Sequence, residues 1–448
     1  MRKNKGITIV ALVVTIVVLL ILAGVSINLV LGNNGIIAKA KDAETKSAEA
    51  SQNDLKGMNG LVSEMEGALA GNGSTGSGSG NGGAGGSGAD TKVPAEATAE
   101  TAPYFPDNTF TKKEGTIDTG LVIQDASGNE YVWVVVPKSL YNNTNYNSNN
   151  TKKPSSSTDY ANIEYCLQQY TVTYRNGTSF FDVYYADDKN VGWFADATAY
   201  NNLKNSMLKS VYENGGFYVG RYEAGIDTTT GTNRTSIESQ VDGKYPVPTT
   251  APVTKADAYP YTYVTRTQAQ NLASNVNSGT KTSSLMFGVQ WDLVLAFMHN
   301  KGNIEDSTLT SNSTTIGNYY NSTFDLDRGK YAQFGQLGNT WKNFDSALDS
   351  IVVSNETTGK MKKTEQNSYQ NGILLTTGGT EQSKVMNIYD IAGNVCEWTL
   401  EKTSNTYDQC VARGGLFNDT GSYRPAADHD GNSSGHSFYS IGFRVSIF

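Results

Sequence analysis

The residues best suited to chemistry lie near the end of the chain, in a polar run from Asn418 to His436. His429 and His436 each have a serine close in sequence, Ser433 or Ser437, so a nucleophile–base pair can be drawn from them. The run holds almost nothing large and apolar, however, which predicts a loop that buries little. Histidines and serines in such loops are usually just solvated, so this pattern does not predict an enzyme.

The cysteines also lack a pattern that would carry chemistry. Cys166, Cys396 and Cys410 are odd in number and do not have the spacing of metal ligands. Because cysteine commonly serves as a small buried residue, we expect all of them in the core. The net charge of −8 argues against a nucleic-acid partner, since binding phosphates requires a basic face.

The first element that would position this region is an apolar run at the N-terminus. "MRKNKG" carries three positive charges, and residues 7–31 then contain no charged residue. As a helix this run would be about 38 Å long at ~1.5 Å per residue, enough to cross a bilayer. The basic flank should stay in the cytoplasm, which places the rest of the chain outside. A signal peptide is the alternative, but its apolar core is usually shorter and ends at a small-residue cleavage site that is not evident here.

The residues around Gly6 resemble a type IV prepilin leader. In that family a short basic segment ends in glycine, a peptidase cuts after it, and the apolar helix is retained. The matching residues are Lys5 and Gly6, with cleavage expected between Gly6 and Ile7. The resemblance implies a membrane anchor through residues 7–31 and other pilins as partners. The fifth mature residue is usually Glu but is Ala11 here, which leaves filament assembly open.

The whole sequence divides into an anchor, a stalk, a tether and a head. The predicted bounds are 1–6 for the leader, 7–70 for a transmembrane and stalk helix, 71–103 for a Gly/Ser-rich flexible linker, and 104–448 for the head. Within the head, "EYVWVVVP" and "GGFYVGRYEAG" predict strands, whereas "RTQAQNLASNV" and "QWDLVLAFMHN" predict helices. We predict an α+β head with short strands, few helices and long loops.

Five stretches of the head occur in a recognisable order. They are "GGFYVGRYEAG", "SSLMFGVQWDLVLAFM", "NIYDIAGNVCEWTLE", "ARGGLF" and "IGFRVSIF". Together they resemble the formylglycine-generating-enzyme family, whose fold is a variant of the C-type lectin fold. The resemblance covers roughly residues 131–448, with a large insertion at about 300–382, and it implies that fold for the head.

The resemblance does not extend to the catalytic residues of the family. Oxygen-using members bind copper through two cysteines near the end of the chain, but Pro425 stands where the second would lie. Cys410 precedes the R-G-G sequence rather than following it. Iron-binding relatives need a histidine triad that His299, His429 and His436 do not supply. We therefore predict no enzyme and no catalytic cofactor.

The resemblance does imply a structural Ca²⁺ around the sequence G-N-V-C-E-W. The corresponding positions are Asp390, Gly393, Val395 and Glu397. Hard Ca²⁺ prefers clustered carboxylate and carbonyl oxygens, which these residues could offer. The alternative is that Asp390 and Glu397 make hydrogen bonds that shape the turn.

Some members of this fold are binding proteins, the variable proteins of diversity-generating retroelements. In these systems template codons of the form AAY become NNY, and NNY codons cannot specify Lys, Glu, Gln, Met or Trp. Residues 410–448, named here the C-terminal segment, contain none of those five residue types. The alternative is that a Gly/Ser-rich surface loop lacks them by chance or for solubility. Tyr, Ser, Asn and Gly also make adaptable contact surfaces.

We therefore predict that the C-terminal segment binds a ligand and does so without chemistry. Its expected contact residues are Asn418, Asp419, Tyr423, Asp428, His429, Asp430, Asn432, His436, Phe438 and Tyr439. The expected scaffold beneath is Phe417, Ile441, Phe443 and Val445, with Arg413, Arg424 and Arg444 as ion-pair or backbone braces. The predicted protein is a surface-displayed adhesin or receptor-binding protein whose ligand is a protein or glycan on another cell, a surface or a phage. A structural minor pilin with an unvarying head is the alternative from another class.

Overall fold

The structure, a computed structural model, describes residues 93, 96–175, 179–186, 193–236, 247–337 and 340–448. The chain divides into two compact units at residue 85, and the second unit contains the head. The predicted leader, with its cleavage site at Gly6 and Ile7, and the predicted helix over 7–70 lie outside the described residues. Within the described ranges, no helix combines the length and apolarity that crossing a membrane requires.

The head begins before residue 104, inside the stretch predicted as linker. Val93 is buried, and the Thr101 hydroxyl donates to the backbone oxygen of Gly215 at 2.8 Å. The indole of Trp133 donates to the same hydroxyl at 2.8 Å. The composition of this stretch is polar, but a few side chains suffice to fix it against the sheet.

The head is built from short strands and few helices, as predicted. The strands are β1 Thr111–Glu114, β2 Val122–Gln124, β3 Glu130–Val135, β4 Phe180–Phe181, β5 Gly216–Gly220, β6 Gly225–Asp227, β7 Ala258–Pro260, β8 Ser283–Leu285, β9 Phe324–Leu326, β10 Lys330–Gln333, β11 Lys342–Asn343, β12 Val352–Asn355, β13 Lys360–Lys363, β14 Ile373–Leu375, β15 Cys396–Thr403, β16 Cys410–Arg413, β17 His429–Asn432, β18 Ile441–Phe443 and β19 Val445–Ile447. The α-helices are α1 Tyr160–Tyr170, α2 Ala197–Asn214, α3 Arg266–Ala273, α4 Gly288–Asn300 and α5 Asp306–Thr310.

A six-stranded sheet in the order β1-β2-β3-β5-β19-β8 forms one side of the core. Its β3 is rich in valine and carries Trp133, residue types that suit a pleated, buried surface. The last strand of the chain, β19, lies between β5 and β8 in antiparallel register. The end of the C-terminal segment is therefore held inside the main sheet.

The second sheet contains the rest of the C-terminal segment. Its order is β17-β16-β15-β18, with β4 on the far end of β15. The central strand β15 pairs antiparallel with β16, where Glu397 faces Arg413, and parallel with β18, where Glu397 faces Gly442. The sequences E-W, R-G-G and G-F-R, far apart in the chain, thus lie side by side.

The two predicted helices are confirmed as α3 and α4. The first begins with a capping box. Thr265 Oγ1 accepts from the backbone nitrogen of Gln268, and Gln268 Oε1 accepts from the backbone nitrogen of Thr265. The second is buried on nearly all sides, which explains why it is apolar over most of its length. Its one buried carboxylate, Asp292, is an exception that the candidate site explains.

The insertion forms a small substructure with its own core. Two three-stranded sheets, β11-β10-β14 and β12-β13-β9, enclose a cluster that includes Phe324, Tyr331, Ile351 and Leu375. Backbone pairing between β10 and β14 joins the middle of the insertion to a strand near its end. The insertion is thus an ordered element rather than a long loop.

The polar run from Asn418 to His436 is more ordered and more buried than its composition predicts. Residues His429–Asn432 form β17, which pairs antiparallel with β16. Cys410 lies opposite Asn432, and Arg413 lies opposite His429. Ala426 and Ala427 are also buried. The prediction of a loop that buries little is wrong for this part, because the edge of β16 offers backbone partners and small side chains fit beneath it.

Candidate functional site

Arg413 fixes the start of the C-terminal segment from a fully buried position on β16. Its guanidinium contacts Asp292 Oδ1 at 2.8 Å and Glu401 Oε2 at 3.2 Å, and its Nε donates to the backbone oxygen of Asp428 at 2.9 Å. Burial disfavours the charge of Glu401, but Arg413, His429 and Arg175 together outweigh this effect and lower the pKa of Glu401 to about 2. Helix α4 and strand β15 are therefore tied to the segment by one side chain.

Arg444 fixes the other end of the segment in the same way. It is buried, and its Nη2 contacts Glu397 Oε1 at 2.6 Å. Further bonds run from Nη1 to the backbone oxygen of Gly220 at 3.0 Å and from Nη2 to that of Tyr389 at 2.9 Å. Arg413 and Arg444 are braces, as the sequence predicts.

The turn after Arg413 explains why the sequence there is R-G-G. Gly415 has φ +73°, which L side chains rarely adopt, and a Cβ there would lie 2.3 Å from the backbone oxygen of Arg424. The chain can therefore turn tightly beneath the segment. Phe417, Ile441, Phe443 and Val445 are buried around it, which confirms them as scaffold.

The predicted contact residues fall into two groups by exposure. Eight have side chains that are partly or largely exposed: Asn418, Asp419, Tyr423, Asp428, Asp430, His436, Phe438 and Tyr439. The other two, His429 and Asn432, are buried on β17. Tyr423 is 69% exposed and Phe438 is 48% exposed, so both are open to a partner.

His429 lies beneath the surface rather than on it. Its ring packs against Phe180 with centroids 4.2 Å apart, and its Nε2 lies 3.5 Å from Glu401 Oε1. In this conformation a ligand cannot reach the ring. The location fits a part in the buried ion-pair cluster around Arg413 better than direct contact.

Three carboxylates surround Arg424 at the surface. Its Nη1 lies 2.6 Å from Asp430 Oδ2 and 3.6 Å from Asp428 Oδ2, and its Nε lies 3.0 Å from Asp419 Oδ2. The guanidinium also lies over the ring of Tyr423, 5.6 Å from its centroid. Partial burial raises the pKa of both Asp419 and Asp428. We call Asp419, Arg424, Asp428 and Asp430 the acidic cluster.

Aromatic rings form the neighbouring part of the surface. Phe438 lies between His436 and Tyr439, with centroid distances of 4.5 and 5.9 Å. Tyr439 packs in a T-shaped contact on Phe334, a residue of the insertion, at 5.5 Å. Phe334 in turn contacts Tyr369 at 5.5 Å. The insertion therefore contributes directly to the surface that the C-terminal segment presents.

The carboxylates predicted to hold Ca²⁺ already have partners in the protein. Asp390 accepts from Ser383 Oγ at 2.6 Å and from the backbone nitrogen of Gly378 at 2.7 Å. Glu397 is engaged by the guanidinium of Arg444. The guanidinium of Arg444 thus already supplies a positive charge to the carboxylate that the resemblance assigns to a cation.

The backbone nitrogens at the other two predicted positions also make hydrogen bonds that shape the turn. The nitrogen of Gly393 donates to the oxygen of Gly414 at 2.7 Å, and that of Val395 donates to Glu223 Oε1 at 3.1 Å. The described part of the chain contains no group of three or more His, Cys, Asp or Glu side chains arranged to hold a metal. Asp390 and Glu397 fit hydrogen bonds that shape the turn better than a Ca²⁺ site, and Ca²⁺ binding stays a prediction.

Sequence reasoning missed four residues that matter here: Asp292, Glu401, Phe334 and Tyr369. A signal existed for the first, because a carboxylate inside an apolar helix must be paired when it is buried. Glu401 offers the same signal within β15, the strand that begins with C-E-W. Phe334 and Tyr369 offer none, since only the folding of the insertion brings them to the segment.

The three cysteines take no part in this surface. Cys166, Cys396 and Cys410 are all buried, as predicted. Burial raises the pKa of Cys166 to about 11 and that of Cys396 further above its ordinary value. Both thiols are thus held in the neutral, unreactive form at physiological pH.

Comparison with known proteins gives a distant structural likeness. Neither a family model nor a curated protein matches this chain. Among solved structures, Treponema denticola variable protein 1 is similar, with a TM-score of 0.24 and 13% sequence identity, over 52% of this chain and 84% of that chain. The candidate site is therefore interpreted from its own geometry.

Proposed function

We propose that this chain is a ligand-binding protein of the cell surface, with the exposed part of residues 418–439 as its contact face. One observation carries the proposal. Both ends of that stretch are clamped by fully buried arginine–carboxylate contacts, Arg413 with Asp292 and Arg444 with Glu397, while side chains between them remain open. Adaptable side chains held on a rigid frame are what recognition by loops requires.

The same arrangement suits a surface whose residues change. Substitution of an exposed side chain such as Tyr423 or Phe438 removes little buried area, so it should leave the fold intact. The clamps and the scaffold lie beneath and do not depend on those side chains. Together with the absence of Lys, Glu, Gln, Met and Trp from residues 410–448, this supports diversification by a retroelement.

The proposal includes recognition without catalysis and display through the N-terminus. Pro425 stands where the copper-binding relatives carry a cysteine, and Cys410 is buried on β16. The basic flank and the charge-free run over residues 7–31 support a membrane anchor, with cleavage after Gly6 and other pilins as partners. The ligand would then be a protein or glycan met outside the cell.

The genomic neighbourhood tests diversification. We expect a reverse transcriptase gene and a second copy of the 3′ end of this gene, differing from it at positions where the copy has adenine. Strains should then differ at exposed positions such as 423 and 438 but not at Arg413 or Arg444. A segment that is invariant across strains, with no such repeat nearby, would favour the structural pilin instead.

A direct test of the frame uses multiple substitutions in the full-length chain. Changing Tyr423 and Phe438 together to serine should leave the thermal midpoint within a few degrees, since ordinary surface substitutions cost about 0.5 kcal/mol or less each. The matched control changes buried Phe417 to serine, which should lower the midpoint far more. Unfolding of the double variant would contradict a substitutable contact face.

A further inference from the structure

We propose that the contact face binds a cationic peptide or protein segment, held between the acidic cluster and a fixed aromatic wall that the insertion supplies. This inference rests on the proposed function and names the chemistry of its ligand. The wall consists of Phe334 and Tyr369, which lie outside residues 410–448. It would therefore stay constant while the C-terminal segment varies.

The charge of the face points to a cation. Asp419, Asp428 and Asp430 surround the single guanidinium of Arg424, so three carboxylates share one positive charge and leave a formal excess of two negative charges. All four side chains are only about one-fifth to one-quarter exposed, which weakens screening by solvent. A second guanidinium or an ammonium would relieve this excess, whereas a neutral sugar would not.

The aromatic part of the face suits the apolar stem of a basic side chain. Tyr369 is 50% exposed and Phe438 is 48% exposed, so both offer ring surface to a ligand. Phe334 and Tyr439 lie between them as a continuous layer of ring contacts. Arg and Lys carry methylene stems and a charged end, and they bind well over aromatic faces next to carboxylates.

The two parts form one continuous surface. Asn418 Nδ2 lies 3.5 Å from the hydroxyl of Tyr439, and the next residue, Asp419, belongs to the acidic cluster. The backbone of the insertion also lies directly against the segment. A Cβ at Gly372 would lie 2.8 Å from the backbone oxygen of Phe417, so only glycine allows this approach.

Selection from a random dodecapeptide display library against the full-length chain tests this inference. We expect the selected peptides to be enriched in Arg and Lys. A selected peptide should bind at least about tenfold more weakly when its basic residue is replaced by citrulline or norleucine. Its affinity should also fall as NaCl is raised from 20 to 300 mM, because the contacts are partly exposed.

Variants of the chain separate the two parts of the face. Asp428→Asn with Asp430→Asn should weaken the selected peptide about tenfold or more. Tyr369→Ser should weaken it about threefold, the scale of an exposed cation–π contact. Tyr407→Ser is the matched control, because that ring is 86% exposed and belongs to neither the acidic cluster nor the aromatic wall. Asp419→Asn repeats the charge test if the double variant unfolds.

The outcomes distinguish this inference from the proposed function. Selected peptides that are neutral or acidic, no enrichment at all, or binding confined to a glycan array would overturn the cationic ligand. If any of those ligands loses affinity on Tyr423→Ser or Phe438→Ser, the contact face itself stands. Binding that is indifferent to both of these changes and to the acidic cluster would overturn the proposed function as well.

Discussion

Arg413 and Arg424 both belong to the C-terminal segment and lie among carboxylates, but their surroundings differ. Arg413 is fully buried and contacts Asp292 and Glu401, whereas one-fifth of the Arg424 side chain is exposed. Near Arg413, Asp292 and Glu401 are matched by two guanidiniums, since Arg175 lies 3.4 Å from Asp292. Near Arg424 three carboxylates face one cation.

This difference fits a role in stability near Arg413 and the proposed role in recognition near Arg424. Burial of a charge costs free energy that a matched partner offsets, so a buried cluster is expected to be balanced. At the surface, water tolerates an excess of charge, and under our proposal that excess is available to a ligand. The balanced cluster therefore supports the frame, and the unbalanced one fits the proposed contact face.

Removal of the buried cation should have the largest effect. Arg413→Met leaves Asp292 and Glu401 without their main partner, which should lower the free energy of unfolding by about 3–5 kcal/mol. Urea denaturation of both proteins at pH 7 measures this difference in the free energy of unfolding. A loss below about 1 kcal/mol would show that Arg413 does not brace the segment.

A combined variant sharpens that result. Adding Asp292→Asn and Glu401→Gln to Arg413→Met removes the stranded negative charges, and part of the lost stability should return. If the combined variant is less stable than Arg413→Met alone, the loss comes from packing rather than charge.

The frame is largely predictable from sequence because its signals are local or apolar. Periodicity and composition predict helix α4, the valine-rich strand β3 and the scaffold residues Phe417 and Phe443. The arginine braces could be anticipated because an arginine beside core residues needs partners. Which carboxylates they meet could not, since Asp292 is 121 residues from Arg413 in the chain and Glu397 is 47 residues from Arg444.

The face is less predictable, because tertiary packing decides it. His429 and Asn432 look like loop residues, yet backbone pairing with β16 buries them. Phe334 and Tyr369 reach the segment only because the insertion folds into its own sheets. The predicted anchor over residues 7–31 lies outside the described residues and stays a prediction.

A further buried cation, Lys363 of the insertion, extends the comparison, because burial is the main influence on its charge and no ion pair with it is seen among the described residues. Its Nζ donates to the backbone oxygens of Ser322 at 2.6 Å and Tyr320 at 3.1 Å, and burial lowers its pKa to about 7. The unfolded chain, with an ordinary lysine pKa, binds more protons between pH 7 and 10.5. Stability should therefore rise with pH in that window, by about 2 kcal/mol between pH 7 and 9.

Urea denaturation of the wild-type chain and of Lys363→Met at both pH values isolates this contribution. The difference between the two proteins should shift by about 2 kcal/mol in favour of the wild type as pH rises. A difference that does not change with pH would mean that Lys363 keeps its proton when buried.

The smallest effect on stability should come from the exposed cation. Arg424→Gln should lower the free energy of unfolding by about 1 kcal/mol at pH 7, because Asp419, Asp428 and Asp430 stay partly exposed and water solvates some of the charge that Arg424 no longer offsets. The loss should shrink as pH falls toward 4. The pKa of Asp419 and of Asp428 is already raised, so these carboxylates bind protons first and the repulsion between them disappears.

Denaturation at pH 7 and pH 4.5 in low salt measures this loss of stability, with Tyr407→Ser as a surface control. A loss as large as that of Arg413→Met, or one independent of pH, would mean that Arg424 is a brace like Arg413. The acidic cluster would then belong to the frame rather than to the face.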